Sequence, residues 1–85
     1  MNNKLEILKK KLIYRAGYRG TKEMDILLSA FVNKYIDTFN EDLLKELDDF
    51  LKFEDEIILN FYQHNMIEKG INKNSVSKIF KNFKI

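Results

Sequence analysis

The chain has 85 residues, of which 45% are apolar and 33% are charged, and its net charge is +2. It contains no Cys and a single His, which excludes disulfides, thiolate metal sites and a catalytic Cys, and leaves zinc sites or His-based catalysis short of ligands. The weak net charge disfavours a nucleic-acid partner, and no apolar run approaches the roughly 20 residues that membrane insertion requires.

The first predicted helix covers residues 4–16. Asn2 or Asn3 directly precedes the apolar positions and is the expected N-cap, while Gly17 is the expected stop. The apolar residues at helical spacing on one face are Leu5, Leu8, Leu12 and Ile13. This face is predicted to pack against the rest of the molecule.

A second helix is predicted over residues 21–37, after the connection Tyr18-Arg19-Gly20. Its apolar stripe is the widest in the chain and contains Met24, Leu27, Leu28, Phe31, Val32, Tyr35 and Ile36. With Gly20 as the N-cap, Glu23 is the third helical residue. There its carboxylate can fold back on free amides and favour the positive end of the helix dipole.

Three shorter helices are predicted in the second half of the chain. Asn40 is the expected cap of the third helix and Asp55 that of the fourth. Residues 65–72 are predicted to form a loop, and residues 73–83 the last helix. The aromatic residues expected in the core are Phe31, Phe39, Phe50, Phe61 and Phe80. These elements predict an all-α fold, a compact bundle of five short helices, as a single domain over residues 1–85.

The two arginines indicate where a binding surface lies. The chain has 15 cations, and only Arg15 and Arg19 are Arg. A guanidinium offers a planar fork of donors that suits a carboxylate or a row of carbonyls, although chance placement is an equally good explanation. Tyr14 and Tyr18 flank them and offer rings for stacking on a guanidinium or on a partner, unless one of them simply covers the corner between the first two helices.

The same residues leave two functional classes open. One is a protein-binding module that uses the turn between the first two helices, and the other is a small nucleic-acid binder that uses the two basic ends of the chain. The basic residues are too diffuse for the second. The abundant carboxylates lie on caps and solvent faces, so we expect no catalytic residue, no metal site and no enzyme activity.

The segment that contains this turn resembles the signature of the SdhE family, the succinate dehydrogenase flavinylation factors. That signature is R-G-x-x-E followed by an apolar residue and often Asp; it corresponds here to Arg19, Gly20, Glu23, Met24 and Asp25. The resemblance covers roughly residues 5–64. The family usually has Pro after the fourth cap and Trp near that helix end, where this chain has Glu56 and Phe61.

The resemblance implies a five-helix chaperone that binds the flavoprotein subunit of succinate dehydrogenase, and in some members of fumarate reductase. It promotes covalent attachment of FAD to a histidine of that subunit, which itself performs the chemistry. FAD therefore belongs to the partner, and no cofactor is expected to bind this chain stably. We expect a monomer when the chain is free.

The expected partner-binding residues combine the motif with its neighbours: Arg15, Tyr18, Arg19, Gly20, Glu23 and Asp25. Arg19 is expected to donate to partner carbonyls or carboxylates, and Gly20 to allow close backbone approach. Glu23 orders the turn, pairs with a partner cation or positions Arg19. The alternative function is a small helical regulator of another protein, such as an antitoxin-like module.

The N-terminal residues 1–11 lack the apolar core of a signal peptide and the Arg/Ser bias of an organelle transit peptide. On that basis a soluble protein of a bacterial cytoplasm is expected.

Overall fold

The computed structural model describes residues 3–85, and within them every regular element is helical. The elements are α1 (Asn3–Gly17), α2 (Lys22–Tyr35), α3 (Glu41–Phe50), α4 (Asp55–His64), a 3-10 turn (Ile71–Lys73) and α5 (Ser75–Lys81). The predicted all-α bundle of five short helices is therefore confirmed. None of the helices in the described part of the chain is both long and apolar enough to cross a membrane.

The first two helices pack closely where α1 ends. Leu12 and Ala16 of α1 are fully buried, and a Cβ added to Gly17 would lie 3.0 Å from the Ser29 hydroxyl oxygen. Gly17 thus lets the two helices approach at this point. The expected cap of α1 cannot be assigned, because Asn2 lies outside the described residues and Asn3 is already the first helical residue.

The caps of α2 and α4 differ from the prediction. Thr21, not Gly20, is the N-cap of α2, and its hydroxyl accepts from the backbone N–H of Met24 at 3.4 Å. Thr prevails because its side chain supplies the acceptor that Gly lacks. Glu23 is consequently the second helical residue. Glu54 precedes α4 without a side-chain cap, and Asp55, the predicted cap, is the first residue of the helix.

The cap of α3 agrees with the prediction. The Asn40 side chain accepts from the backbone N–H of Leu43 at 2.9 Å. The last helix is shorter than the predicted 73–83. It begins later because Asn74 is its cap, and the 3-10 turn includes Lys73, where the predicted helix started. His64 is exposed at the end of α4.

The core is built around Phe31 of α2. Its ring lies 5.1 Å from that of Phe80 and 5.3 Å from that of Phe83, both in edge-on contact. The five aromatic residues expected in the core are all buried: Phe31, Phe39, Phe50, Phe61 and Phe80. Each contributes roughly 1.5–3 kcal/mol of apolar burial. The short α5 is therefore held by the centre of the core through Phe80.

Replacing Asn74 with Ala is expected to lower the free energy of unfolding by about 2 kcal/mol. Its side-chain oxygen accepts from the backbone N–H groups of Val76 and Ser77, and its amide donates to the Glu46 carbonyl at 2.8 Å. Urea denaturation measures this change. Asn33→Ala is the matched control: Asn33 is exposed on α2, so it should shift stability by less than about 0.5 kcal/mol. Equal stability of the two variants would contradict the assigned role.

Candidate functional site

The connection between α1 and α2, residues 18–21, forms a corner that is fixed by the Arg19 side chain. The guanidinium donates through Nε to Asp55 Oδ1 at 2.7 Å and through Nη2 to the Phe53 carbonyl at 2.6 Å. Its Nη1 donates to the carbonyl of Leu51. We refer to these contacts as the Arg19 clamp. It ties the corner to the loop between α3 and α4 and leaves the Arg19 side chain only 11% exposed.

The backbone of the corner is fixed from α2 as well. The N–H of Arg19 donates to Asp25 Oδ1 at 2.6 Å. Asp25 lies in the first turn of α2, where a carboxylate also interacts favourably with the helix dipole. Arg19, which precedes Gly20, is therefore held twice: Asp25 binds its main chain and the clamp holds its side chain.

The second arginine makes a similar connection one turn earlier. Arg15 Nη1 donates to Asp48 Oδ1, and both side chains are slightly more than one-quarter exposed. Both arginines of the chain thus connect the end of α1 and the corner to the α3–α4 segment. The planar fork expected to suit carboxylates and carbonyls is used in this way, within the chain.

The other half of the corner faces outward. Gly20 has φ = 118°, a conformation that favours glycine, and a Cβ built there would meet no atom of the described residues within 4 Å. Thr21 and Glu23 are exposed, and the Glu23 side chain makes no hydrogen bond or ion pair within residues 3–85. Tyr18 is 73% exposed. Gly20 and Glu23 are therefore accessible to another molecule.

The predicted site residues thus fall into two groups. Arg15, Arg19 and Asp25 are engaged within the chain, whereas Tyr18, Gly20 and Glu23 are accessible. Of the three roles expected for Glu23, positioning Arg19 has no direct contact to support it in the described chain, because the Arg19 side chain contacts Asp55 and two carbonyls instead. Ordering the turn is not supported by any Glu23 contact in the described chain. Pairing with a partner cation stays a prediction.

Sequence reasoning missed the acidic partners of the two arginines, Asp48 and Asp55. They lie 33 and 36 residues away along the chain, so no local spacing links them to Arg15 and Arg19. Across residues 3–85, no group of three or more His, Cys, Asp or Glu side chains is arranged to hold a metal ion.

Comparison with known proteins places this corner in a family context. A family model described as flavinator of succinate dehydrogenase matches residues 10–84. The mitochondrial succinate dehydrogenase assembly factor 2 of Schizosaccharomyces japonicus is 39% identical over 54 residues, which cover 64% of this chain and 38% of that protein. That of Saccharomyces cerevisiae strain S288c is 42% identical over 50 residues, 59% of this chain and 31% of that protein. No solved structure gives a significant match.

The chain spans about a third of the length of the curated relatives it matches. Assembly factor 2-B of Drosophila ananassae, for example, is 40% identical over 50 residues, which are 31% of its length. These relatives also overturn one expectation. The bacterial cytoplasm is the wrong location, because the relatives are described as mitochondrial.

Proposed function

This chain belongs to the family of succinate dehydrogenase flavinators, and we propose that it binds the flavoprotein subunit of succinate dehydrogenase and promotes covalent attachment of FAD to that subunit. The observation that carries the proposal is the contrast within the corner. Arg19 and Asp25 are fixed by contacts inside the chain, whereas Gly20 and Glu23 beside them are accessible. Such a rigid, exposed element is suited to contact a partner without prior ordering.

In this proposal Arg19 is a positioning residue. All three nitrogens of its guanidinium donate within the clamp, so Arg19 holds the shape of the corner and does not itself donate to the partner. Gly20 provides a surface without a side chain, against which a partner backbone can lie. Glu23 provides a free carboxylate, which pairs with a cation or an N–H group of the partner. Asp25 supports the corner through the Arg19 amide.

The chain itself is proposed to act without catalysing a reaction. Its role is to hold the flavoprotein subunit in a conformation that allows the subunit to bind its FAD covalently. FAD stays with the subunit throughout, and no residue of this chain is assigned to the cofactor. We propose the flavoprotein subunit of fumarate reductase as a second partner of the same kind.

A pull-down tests this proposal. Tagged chain, incubated with extract of its source cells, is expected to recover the flavoprotein subunit, identified by mass spectrometry. Recovery of a different protein without any flavoprotein would replace the proposal with the alternative, a regulator of another protein such as an antitoxin-like module. Binding of nucleic acid with a steep dependence on salt would indicate a nucleic-acid binder instead.

Glu23→Gln is expected to weaken binding to the subunit about tenfold or more while changing the free energy of unfolding by less than about 1 kcal/mol. The carboxylate makes no contact within the described chain, so its loss removes only what it does for the partner. Calorimetry or surface binding measures the affinity. Glu6→Gln, at an exposed glutamate in the first turn of α1 and away from the corner, should leave the affinity unchanged. Unaltered affinity of the Glu23 variant would remove this residue from the interface.

A further inference from the structure

Two exposed tyrosines form a ridge at the end of α1. The rings of Tyr14 and Tyr18 stack with centroids 4.5 Å apart and planes inclined by 25°, while the residues are 64% and 73% exposed. Neither ring therefore serves the core. Adjacent aromatic side chains that stay this accessible are typical of binding surfaces.

The ridge separates two grooves. One, of about 450 Å³, is lined by Tyr14, Arg15, Tyr18, Arg19, Glu54 and Asp55, and we name it the acidic groove. The other, of about 530 Å³, runs between α1 and α2 and includes Ile13, Gly17 and Ser29. The two tyrosines line both grooves, so a side chain that enters either one contacts a ring.

The most exposed charged side chain that lines the acidic groove is a carboxylate, although two arginines also line it. Arg19 is 11% exposed and its three side-chain nitrogens donate within the chain; Arg15 is 28% exposed and paired with Asp48. The Glu54 side chain, in contrast, is 71% exposed. An entering group therefore meets a carboxylate and aromatic rings first.

A cation of the chain itself, Lys69, already lies close to Glu54, which forms one wall of the acidic groove. Lys69 Nζ lies 3.3 Å from Glu54 Oε1, and both side chains are about two-thirds or more exposed. An ion pair this exposed contributes at most about 1 kcal/mol, so a better-placed cation from another molecule can replace it. Lys69 thus shows that the wall attracts a positive group without closing the groove.

We propose that the acidic groove receives an arginine or lysine side chain of the partner, which lies against the rings of Tyr14 and Tyr18 and donates to Glu54. This inference rests on the proposed function, since it takes the flavoprotein subunit as the partner. It adds a second contact to that interface, on the α4 side of the clamp and separate from Gly20 and Glu23. An anionic group is disfavoured because it would face Glu54 and Asp55, while all three side-chain nitrogens of Arg19 already donate within the chain.

The double variant Tyr14→Leu with Tyr18→Leu is expected to bind the flavoprotein subunit about 5- to 30-fold more weakly, because it keeps apolar bulk but removes both ring quadrupoles. The double variant Tyr14→Phe with Tyr18→Phe keeps the rings and should bind within about twofold of the original chain. Glu54→Gln should weaken binding and reduce its dependence on salt, whereas Glu56→Gln, at an exposed neighbour that does not line the groove, should do neither. Equal binding by the Leu, Phe and original chains would overturn the inference.

A second measurement does not depend on the proposed function. N-acetyl-arginine amide is titrated into the free chain while the ring protons of Tyr14 and Tyr18 are followed by NMR. Saturable shifts that weaken in Glu54→Gln and persist in Glu56→Gln support the groove as a cation site even if the subunit does not bind. Shifts caused by N-acetyl-aspartate amide in place of the arginine compound, or the absence of saturable shifts, would overturn it.

Discussion

Replacement of Arg19 by Ala is expected to lower the free energy of unfolding by about 3 kcal/mol. The change removes one charged hydrogen bond to Asp55 and two to main-chain carbonyls, and it leaves those acceptors poorly hydrated under the corner. A chain of this size is stabilised by only roughly 4–13 kcal/mol in total. The loss is therefore a large share of the margin, and urea denaturation followed by circular dichroism measures it.

Arg19→Lys separates geometry from charge. A lysine keeps the positive charge, but its single ammonium lacks the planar fork that reaches Asp55 and the Leu51 and Phe53 carbonyls together. The free energy of unfolding of Arg19→Lys is expected to lie between that of the original chain and that of Arg19→Ala. Arg15→Ala breaks a single ion pair, with Asp48, that is more exposed than the clamp. It should lower the free energy of unfolding by about 1 kcal/mol. An Arg19→Ala variant as stable as the original chain would show that the clamp contributes no stability.

Gly20→Arg is expected to lower the affinity for the subunit by more than about 100-fold and so to abolish promotion of covalent flavin attachment. The helical content should stay largely intact. The position is open, since an added Cβ meets no described atom within 4 Å, so a long side chain would project into the space proposed for the partner. The free chain has room for the added bulk. The proposed complex does not, because a side chain there prevents close backbone approach.

Backbone strain has to be separated from bulk in this experiment. At φ = 118°, any residue other than glycine is strained by on the order of 1–3 kcal/mol. Gly20→Ala has the same strain and almost no bulk, so it is the matched control. We expect both variants to lose similar stability and only the Arg variant to lose activity. If Ala and Arg variants lose activity equally, the conformation of the corner matters and close approach does not.

Local features of this fold followed from the sequence. Apolar spacing gave five helices, Asn40 gave a cap, and the aromatic positions gave the core around Phe31. These features depend on neighbours within a turn or two, which a periodic pattern records. The cap of α2 was misassigned because the acceptor oxygen of Thr21 prevails over the conformational freedom of Gly20.

The internal partners of the candidate site did not follow from the sequence. The segment from Arg15 to Asp25 was found from its residue types and from the family signature, but the fate of Arg19 depends on Asp55, 36 residues away. Nothing local distinguishes a guanidinium aimed at a partner from one aimed at the neighbouring helix. Packing of the corner against the α3–α4 loop engages the Arg19 guanidinium within the chain, and for this reason we propose it as a positioning residue and not as a donor to the partner.

Covalent flavin on the flavoprotein subunit is the direct readout of the proposed function. The subunit is expressed with the chain, without it and with Gly20→Arg at equal amounts, and denatured samples are compared by in-gel flavin fluorescence. We expect strong fluorescence only when the original chain is present. Equal fluorescence with and without the chain would contradict it.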